Sequence, residues 1–203
     1  MSVSRAVLII DRPVFTTREI TALRKGSLSG TSQALRRMER EGLLVRAARG
    51  VWCNPSDPRF SPFSLVMLLA GGHGAYVSFF SALHLHGMID QIPRIVYAAT
   101  TAHTRKQETP VGTYSFHRID PRFFAGFDWY GERQAFLIAT PEKALVDCLY
   151  LSSRRAKRFG TFPEIERREF SDRRARQWVR RIPDAKIRAY VSAKLESLEW
   201  TTG

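Results

Sequence analysis

The spacing of apolar and polar residues divides the chain into short helical and extended stretches. Residues 3–10 (Val-Ser-Arg-Ala-Val-Leu-Ile-Ile) are largely apolar and predict a first helix, ended by Asp11, Arg12 and Pro13. Thr16 with Glu19 three residues on forms a capping box, and Phe15 before it can staple against Ile20. A second helix is therefore expected, with Ile20 and Leu23 at core spacing and Gly26 at its end. Ser27-Leu28-Ser29-Gly30 predicts a short turn with Leu28 buried and Ser29 as the next N-cap. Over residues 30–41 the pattern predicts a helix that buries Leu35 and Met38, helped by Ala34. Thr31, Ser32, Gln33, Arg36, Arg37 and Arg40 are left facing outward, and Gly42 closes the helix. Residues 43–46 and 51–54 read as two short strands around Ala47-Ala48-Arg49-Gly50, a hairpin whose tip carries Arg46 and Arg49.

Ser56-Asp57-Pro58 and Ser61-Pro62 mark a linker. Beyond it the pattern predicts helices over 62–70 and 78–86, ended by Gly71-Gly72 and Gly87. Alternating, β-branched and aromatic residues predict strands over 94–99, 113–118 and 134–138, with 127–130 as a fourth. Thr140-Pro141-Glu142 opens a helix to about residue 151, with Ala144, Leu145, Cys148 and Leu149 on its buried face. Helices near 163–168, 171–181 and 183–199 finish the chain. The fold class is α+β. A winged helix-turn-helix over residues 1–54 precedes a mixed α+β domain over 60–203, with a mainly antiparallel sheet and C-terminal helices.

Charge sharpens this division. The net charge of +13 falls as +6 over residues 1–53, zero over 54–150 and +7 over 151–203. Two basic ends around a neutral middle suit surfaces that face a polyanion, since Lys and Arg gain affinity by releasing counterions from phosphates. A membrane fits less well, because no apolar stripe with Trp or Phe lies opposite a Lys face. Polar residues in the first turn with arginines after them suit a helix laid in the major groove. Thr31, Ser32, Gln33, Arg36 and Arg37 are the expected readers of bases or adjacent phosphates, with Arg40, Arg46 and Arg49 on the DNA backbone. A second candidate nucleic-acid surface, for DNA or RNA, comprises Arg154, Arg155, Lys157, Arg158, Arg173 and Arg174. It lies in a longer cluster with Arg167, Arg168, Arg176, Arg180 and Arg181, interleaved with Glu164, Glu166, Glu169 and Asp172, so some of it must pair internally. Thr100 to Lys106, after a strand end, is a further candidate binding loop.

Other chemistry finds little support. No apolar run reaches the ~18–20 residues of a membrane span, and no small-residue cleavage site marks a signal peptide. Cys53 and Cys148 cannot build a disulfide framework and read as reduced thiols of a cytoplasmic protein. His84 and His86 lie two apart, on opposite sides of a helix, and His73, His103 and His117 lie in separate elements, so no metal site is expected. Ser81 near His84 is not a nucleophile elbow, and no phosphate-binding glycine loop occurs, so no cofactor is expected. Asp90, Asp120, Asp128 and Asp147 are scattered, and no catalytic set emerges.

Three segments carry a family resemblance. VFTTREITALRKGSLSGTSQALRRMEREGLLVRAARGVWCNP resembles the N-terminal domain of AbiEi-type antitoxins, transcriptional regulators of type IV toxin-antitoxin systems. AYVSFFSALHLHGMIDQIPRIVYAAT resembles that family's central block, and ATPEKALVDCLYL its later helix, while residues 152–203 share only basic helical character. The resemblance implies a repressor of its own operon that binds inverted repeats in the promoter. It also implies an antitoxin whose second domain counters a nucleotidyltransferase toxin without a stable complex. Two alternatives stay open on the residues alone: a nucleic-acid-processing enzyme positioned by a winged helix, and a winged-helix protein-interaction module.

Overall fold

The computed structural model describes residues 1–131, 135–154, 159, 161–162 and 164–201. The chain divides into two compact units, Met1–Gly72 with Glu108–Gly112, and His73–Gln107 with Thr113–Gly203. The fold is α+β.

In the first unit the order is α1 (Val3–Ile10), β1 (Val14–Thr16), α2 (Thr17–Arg24), α3 (Leu28–Arg40), β2 (Val45–Ala48) and β3 (Val51–Cys53). The three strands form one antiparallel sheet in the order β1-β3-β2. The helices bury one stripe each, and Val3, Ala6, Phe15, Ile20, Leu35, Leu44 and Trp52 form a single core with Val7, Ile10, Ala34 and Met38 against it. The capping box forms: Thr16 Oγ1 accepts from the Glu19 amide at 3.2 Å, and the Glu19 carboxylate accepts from the Thr16 amide at 2.7 Å. Phe15 and Ile20 both lie in that core. Two details depart from the expected pattern. Leu23 is 41% exposed, because the buried stripe of this eight-residue helix runs through Thr17 and Ile20. The left-handed residue that ends α2 is Lys25, at φ 51, one position before Gly26.

The unit extends past Asn54 to Gly72. Arg59 binds Asp57 at 2.8 Å and Asp11, at the end of α1, at 2.7 Å, tying the proline-rich segment to the helices. A one-turn 3-10 helix (Pro62–Leu65), with Ser61 as N-cap, runs directly into α4 (Val66–Leu69).

The second unit is built on a mixed six-stranded sheet containing β4 (Ala75–Val77), β5 (Val96–Thr100), β6 (Arg105–Thr109), β7 (Gly112–Arg118), β8 (Phe127–Tyr130) and β9 (Phe136–Ala139). Their order is β6-β7-β5-β4-β9-β8. The β4–β5 and β8–β9 pairs are antiparallel, while β4–β9 and β5–β7 are parallel, so parallel pairing has a larger share than the sequence suggested. Helices α5 (Phe79–Leu85), α6 (Pro141–Ser152), α7 (Asp172–Arg180) and α8 (Ala185–Glu196) complete it, with α5, α7 and α8 packed on α6. Thr140 caps α6 by accepting from the Lys143 amide at 3.3 Å. The helix expected near 163–168 does not form over the described residues 164–168, where the chain makes a bridge and a turn.

Helix α6 is buried on every side from Glu142 to Ser152, including its charged residues. Lys143 Nζ donates to the Asp147 carboxylate and, at 2.9 Å, to the Tyr76 hydroxyl. Asp147 accepts in addition from Tyr76 at 3.0 Å and from Ser78 at 2.8 Å. Lys143 Nζ also lies 3.9 Å from the centre of the Phe123 ring. Burial pushes the Lys143 ammonium below its ordinary value, opposed in part by Asp147, and burial beside that carboxylate pushes the Tyr76 phenol well up. The network fastens α6 to β4. Among the described residues no helix is long and apolar enough to cross a membrane.

Candidate nucleic-acid interface

The basic face of the first unit follows from how α3 is seated. Ser27, not Ser29, is its N-cap, accepting from the Gly30 amide at 3.1 Å, so the helix begins at Leu28, whose side chain is 54% exposed. Thr31, Leu35 and Met38 then share one stripe at i, i+4 and i+7. Thr31 is accordingly 0% exposed and cannot meet a base, a correction to its expected outward position. Its hydroxyl donates to the Ser27 carbonyl at 2.8 Å and accepts from Arg24 Nη1 at 3.1 Å, locking the α2–α3 turn. Sequence reasoning missed this Arg24 contact.

The opposite face carries Gln33, Arg36, Arg37 and Arg40, all exposed, with Ser32 half-buried at its edge. Arg37 is bound to Glu41 at 2.9 Å, an i, i+4 pair, whereas Arg36 and Arg40 make no ion pair among the described residues. Gly42 ends the helix at φ +75, with its amide on Glu39 and the Leu43 amide on the Met38 carbonyl at 2.9 Å. This is the left-handed closure that glycine adopts without strain, and it turns the chain sharply into the hairpin.

In that hairpin β2 and β3 are joined by Arg49 and Gly50. Arg49 is exposed at the tip. Arg46 is not at the tip: it pairs in register with Trp52, half-buried, with Nε on the Ala48 carbonyl at 3.3 Å and its guanidinium 6.0 Å from the Trp52 ring centre. The Trp52 indole N–H in turn donates to Thr17 Oγ1 at 2.8 Å. Strand β1, which sequence reasoning left unassigned, braces β3, and its only signal was the run Val14-Phe15-Thr16.

The second candidate surface is dispersed. Arg155, Lys157 and Arg158 lie outside the described residues. Arg154 is exposed, with its guanidinium 4.8 Å from the Tyr150 ring centre. Arg174 is committed in part to the buried carboxylate of Glu142 at 2.9 Å. Arg167 pairs with Asp172 and Arg168 with Glu166, each at 2.7 Å. Arg173 is exposed on α7 and makes no ion pair among the described residues. His86 and His84 contact the carbonyls of Ala139 and Ile89, at 2.8 and 3.3 Å, and His117 contacts Ser115 at 2.9 Å. Among the described residues no three His, Cys, Asp or Glu side chains gather closely enough to hold a metal ion.

No curated protein matches the chain. Residues 5–55 match the family model described as transcriptional regulator, AbiEi antitoxin, a family of regulators rather than of enzymes. The match spans α1 to β3, the segment that carries the basic helix and the hairpin. By that match, the N-terminal part of this chain is similar to the AbiEi antitoxin transcriptional regulators, as its sequence indicated.

Proposed function

We propose that residues 1–54 are a winged helix-turn-helix that binds duplex DNA, with α3 as the recognition helix and the β2–β3 hairpin as the wing. Gln33 and Arg36 read base edges, with Ser32 at the edge of the contact; Arg37 and Arg40 hold adjacent phosphates, and Arg49 reaches the backbone from the wing. The observation that carries this reading is the segregation on α3: one stripe with Thr31 and Leu35 buried and Met38 half-buried against the core, the other lined by exposed arginines, with a further exposed arginine at the hairpin tip.

On this reading the protein is a transcriptional repressor of the antitoxin type, autoregulating its operon by binding inverted repeats in the promoter. The resemblance supports a type IV system, in which the α+β part after the winged helix counters a nucleotidyltransferase toxin without a stable complex. The test is a gel-shift titration with the DNA upstream of the protein's own reading frame. Replacing Arg36 and Arg49 together with Ala abolishes specific retention at protein concentrations that saturate wild type. Unchanged retention by the double variant overturns the assignment. Co-expression with a neighbouring nucleotidyltransferase, scored by growth, tests the antitoxin role separately.

A further inference from the structure

In the second unit, α7 divides its surface as cleanly as α3 does. Ala175 and Val179 face the core, while Arg173, Arg176 and Arg180, at i, i+3 and i+7, are exposed and make no ion pair among the described residues. Two hollows adjoin this row. One, of about 690 Å³, is bordered by Thr140 and Glu142 at the start of α6 and by Gln177, Trp178, Arg180 and Arg181. The other, of about 440 Å³, lies between α7 and α8 and includes Arg176, Arg180, Arg188 and Ser192. Arg180 borders both, so the two hollows lie on either side of one cation. Five arginines border the two hollows against three glutamates: Glu142 is buried and accepts from Arg174 and from the Ser171 amide, each at 2.9 Å, Glu196 accepts from Ser192 at 3.5 Å, and Glu169 is exposed beside the larger hollow.

The larger hollow also holds a cation–π contact. The Arg181 guanidinium lies 4.8 Å from the centre of the Trp178 ring. Trp178 is firmly seated, because a Cβ on Gly126 would come within 2.6 Å of it. Arg181 therefore holds its guanidinium over a seated aromatic ring, at the wall of a space within the roughly 300–1,000 Å³ range of ligand pockets. We infer that these adjacent hollows bind single-stranded nucleic acid, with phosphates on Arg176, Arg180 and Arg188 and a base stacked on the Arg181–Trp178 pair. A duplex keeps its bases inside a convex rod and offers only phosphates. Concave cationic hollows with a guanidinium set over an indole match a strand whose bases are splayed out. The inference concerns α6 to α8 and does not depend on the DNA-binding reading of α3.

The test uses the full chain and fluorescence anisotropy with labelled 15-mers of oligouridylate and oligothymidylate, beside a labelled promoter duplex. Wild type binds both single strands with an affinity that falls as salt rises. Arg176→Ala with Arg180→Ala weakens both by at least about tenfold and flattens the log–log salt slope by roughly 1.4, about 0.7 for each lost phosphate contact. Arg181→Lys keeps the charge and loses the plane; it weakens single-strand binding about tenfold with the salt slope unchanged. Duplex affinity and the circular dichroism spectrum stay at wild-type values in every variant. Single-strand affinity that survives all these changes overturns the inference, as does a fall in duplex affinity equal to that for single strands.

Discussion

Thr31 and Arg36 lie five positions apart on one helix, and their surroundings give them opposite work. Thr31 is sealed in the core, holding the Ser27 carbonyl and the Arg24 guanidinium, whose Nε already lacks a partner. Thr31→Val strands that guanidinium further and costs about 1–2 kcal/mol of stability, with DNA sequence preference unchanged. Arg36→Ala leaves stability within about 0.5 kcal/mol but costs roughly 1–3 kcal/mol on the cognate duplex and relaxes preference at one base pair. Chemical denaturation, with anisotropy on cognate and single-base-changed duplexes, separates the two. Relaxed preference in Thr31→Val overturns this division. The same contrast governs Lys143. Removing only its charge, as in Lys143→Met, leaves Asp147 buried without its cation and costs about 3–5 kcal/mol, whereas Lys143→Met with Asp147→Leu recovers most of it. Equal losses in single and double variants, read from urea midpoints, overturn that account. In the sequence Lys143 and Asp147 look like an ordinary i, i+4 surface pair. What buries them is contact with Tyr76 and Ser78, about seventy positions earlier, which no local pattern reports. Thr31 failed for a nearer reason: a hydroxyl was read as outward-facing, although the helical repeat already placed it on the stripe of Leu35.

Among the elements, six strands and most helices were legible from their own side chains, whereas β1, β4 and β6 were not. The capping box of α2, the Thr140 cap of α6 and the Gly42 closure of α3 are local contacts, and each stands where the residues put it. Strands β1 and β4 have three residues each and exist because β3, β5 and β9 pair with them, so too few alternations were present to read. Strand β6 carries Arg-Lys-Gln-Glu-Thr, a polar run that fits a solvated loop equally well. The capping box also has a pH signature. Partial burial raises the Glu19 carboxyl, but its bonds from Arg12 and Thr16 outweigh this and hold it below its ordinary value of 4.5. A carboxylate with a depressed folded value stabilises fully above its unfolded value and loses that contribution as pH falls through the folded one. Glu19→Gln therefore costs about 1 kcal/mol at neutral pH, and the gap to wild type closes as the pH is lowered below about 4.5. Thermal unfolding between pH 7 and pH 3 reads this directly. A gap that stays constant down to the lowest pH removes the carboxylate from the account.

At the scale of the molecule, on the proposed reading, the salt dependence of duplex binding is set not by the charge of +13 but by the arginines that reach phosphate. The sequence located basic charge correctly at both ends but could not say which cations were already engaged, since that depends on packing. Arg37 is held by Glu41, Arg46 by the Trp52 face and the Ala48 carbonyl, and Arg12 by Glu19. Arg36, Arg40 and Arg49 remain without ion pairs among the described residues. Each phosphate neutralised on B-DNA contributes about −0.9 to the slope of log affinity against log salt. With Arg36 on a base edge, full phosphate contacts through Arg40 and Arg49 and a weaker one through Arg37 give a slope of roughly −1.8 to −2.7 for wild type on the promoter duplex. Arg49→Ala is expected to lower its magnitude by about 0.9 and to weaken cognate and unrelated duplexes by the same factor, since the proposed wing contact is to backbone and not to bases. Arg37→Ala changes the slope less, since releasing Arg37 from Glu41 offsets part of what a phosphate contact gains. A slope unaltered by Arg49→Ala takes the hairpin tip off the DNA. A wild-type slope steeper than about −6 means that cations beyond this face also bind the duplex.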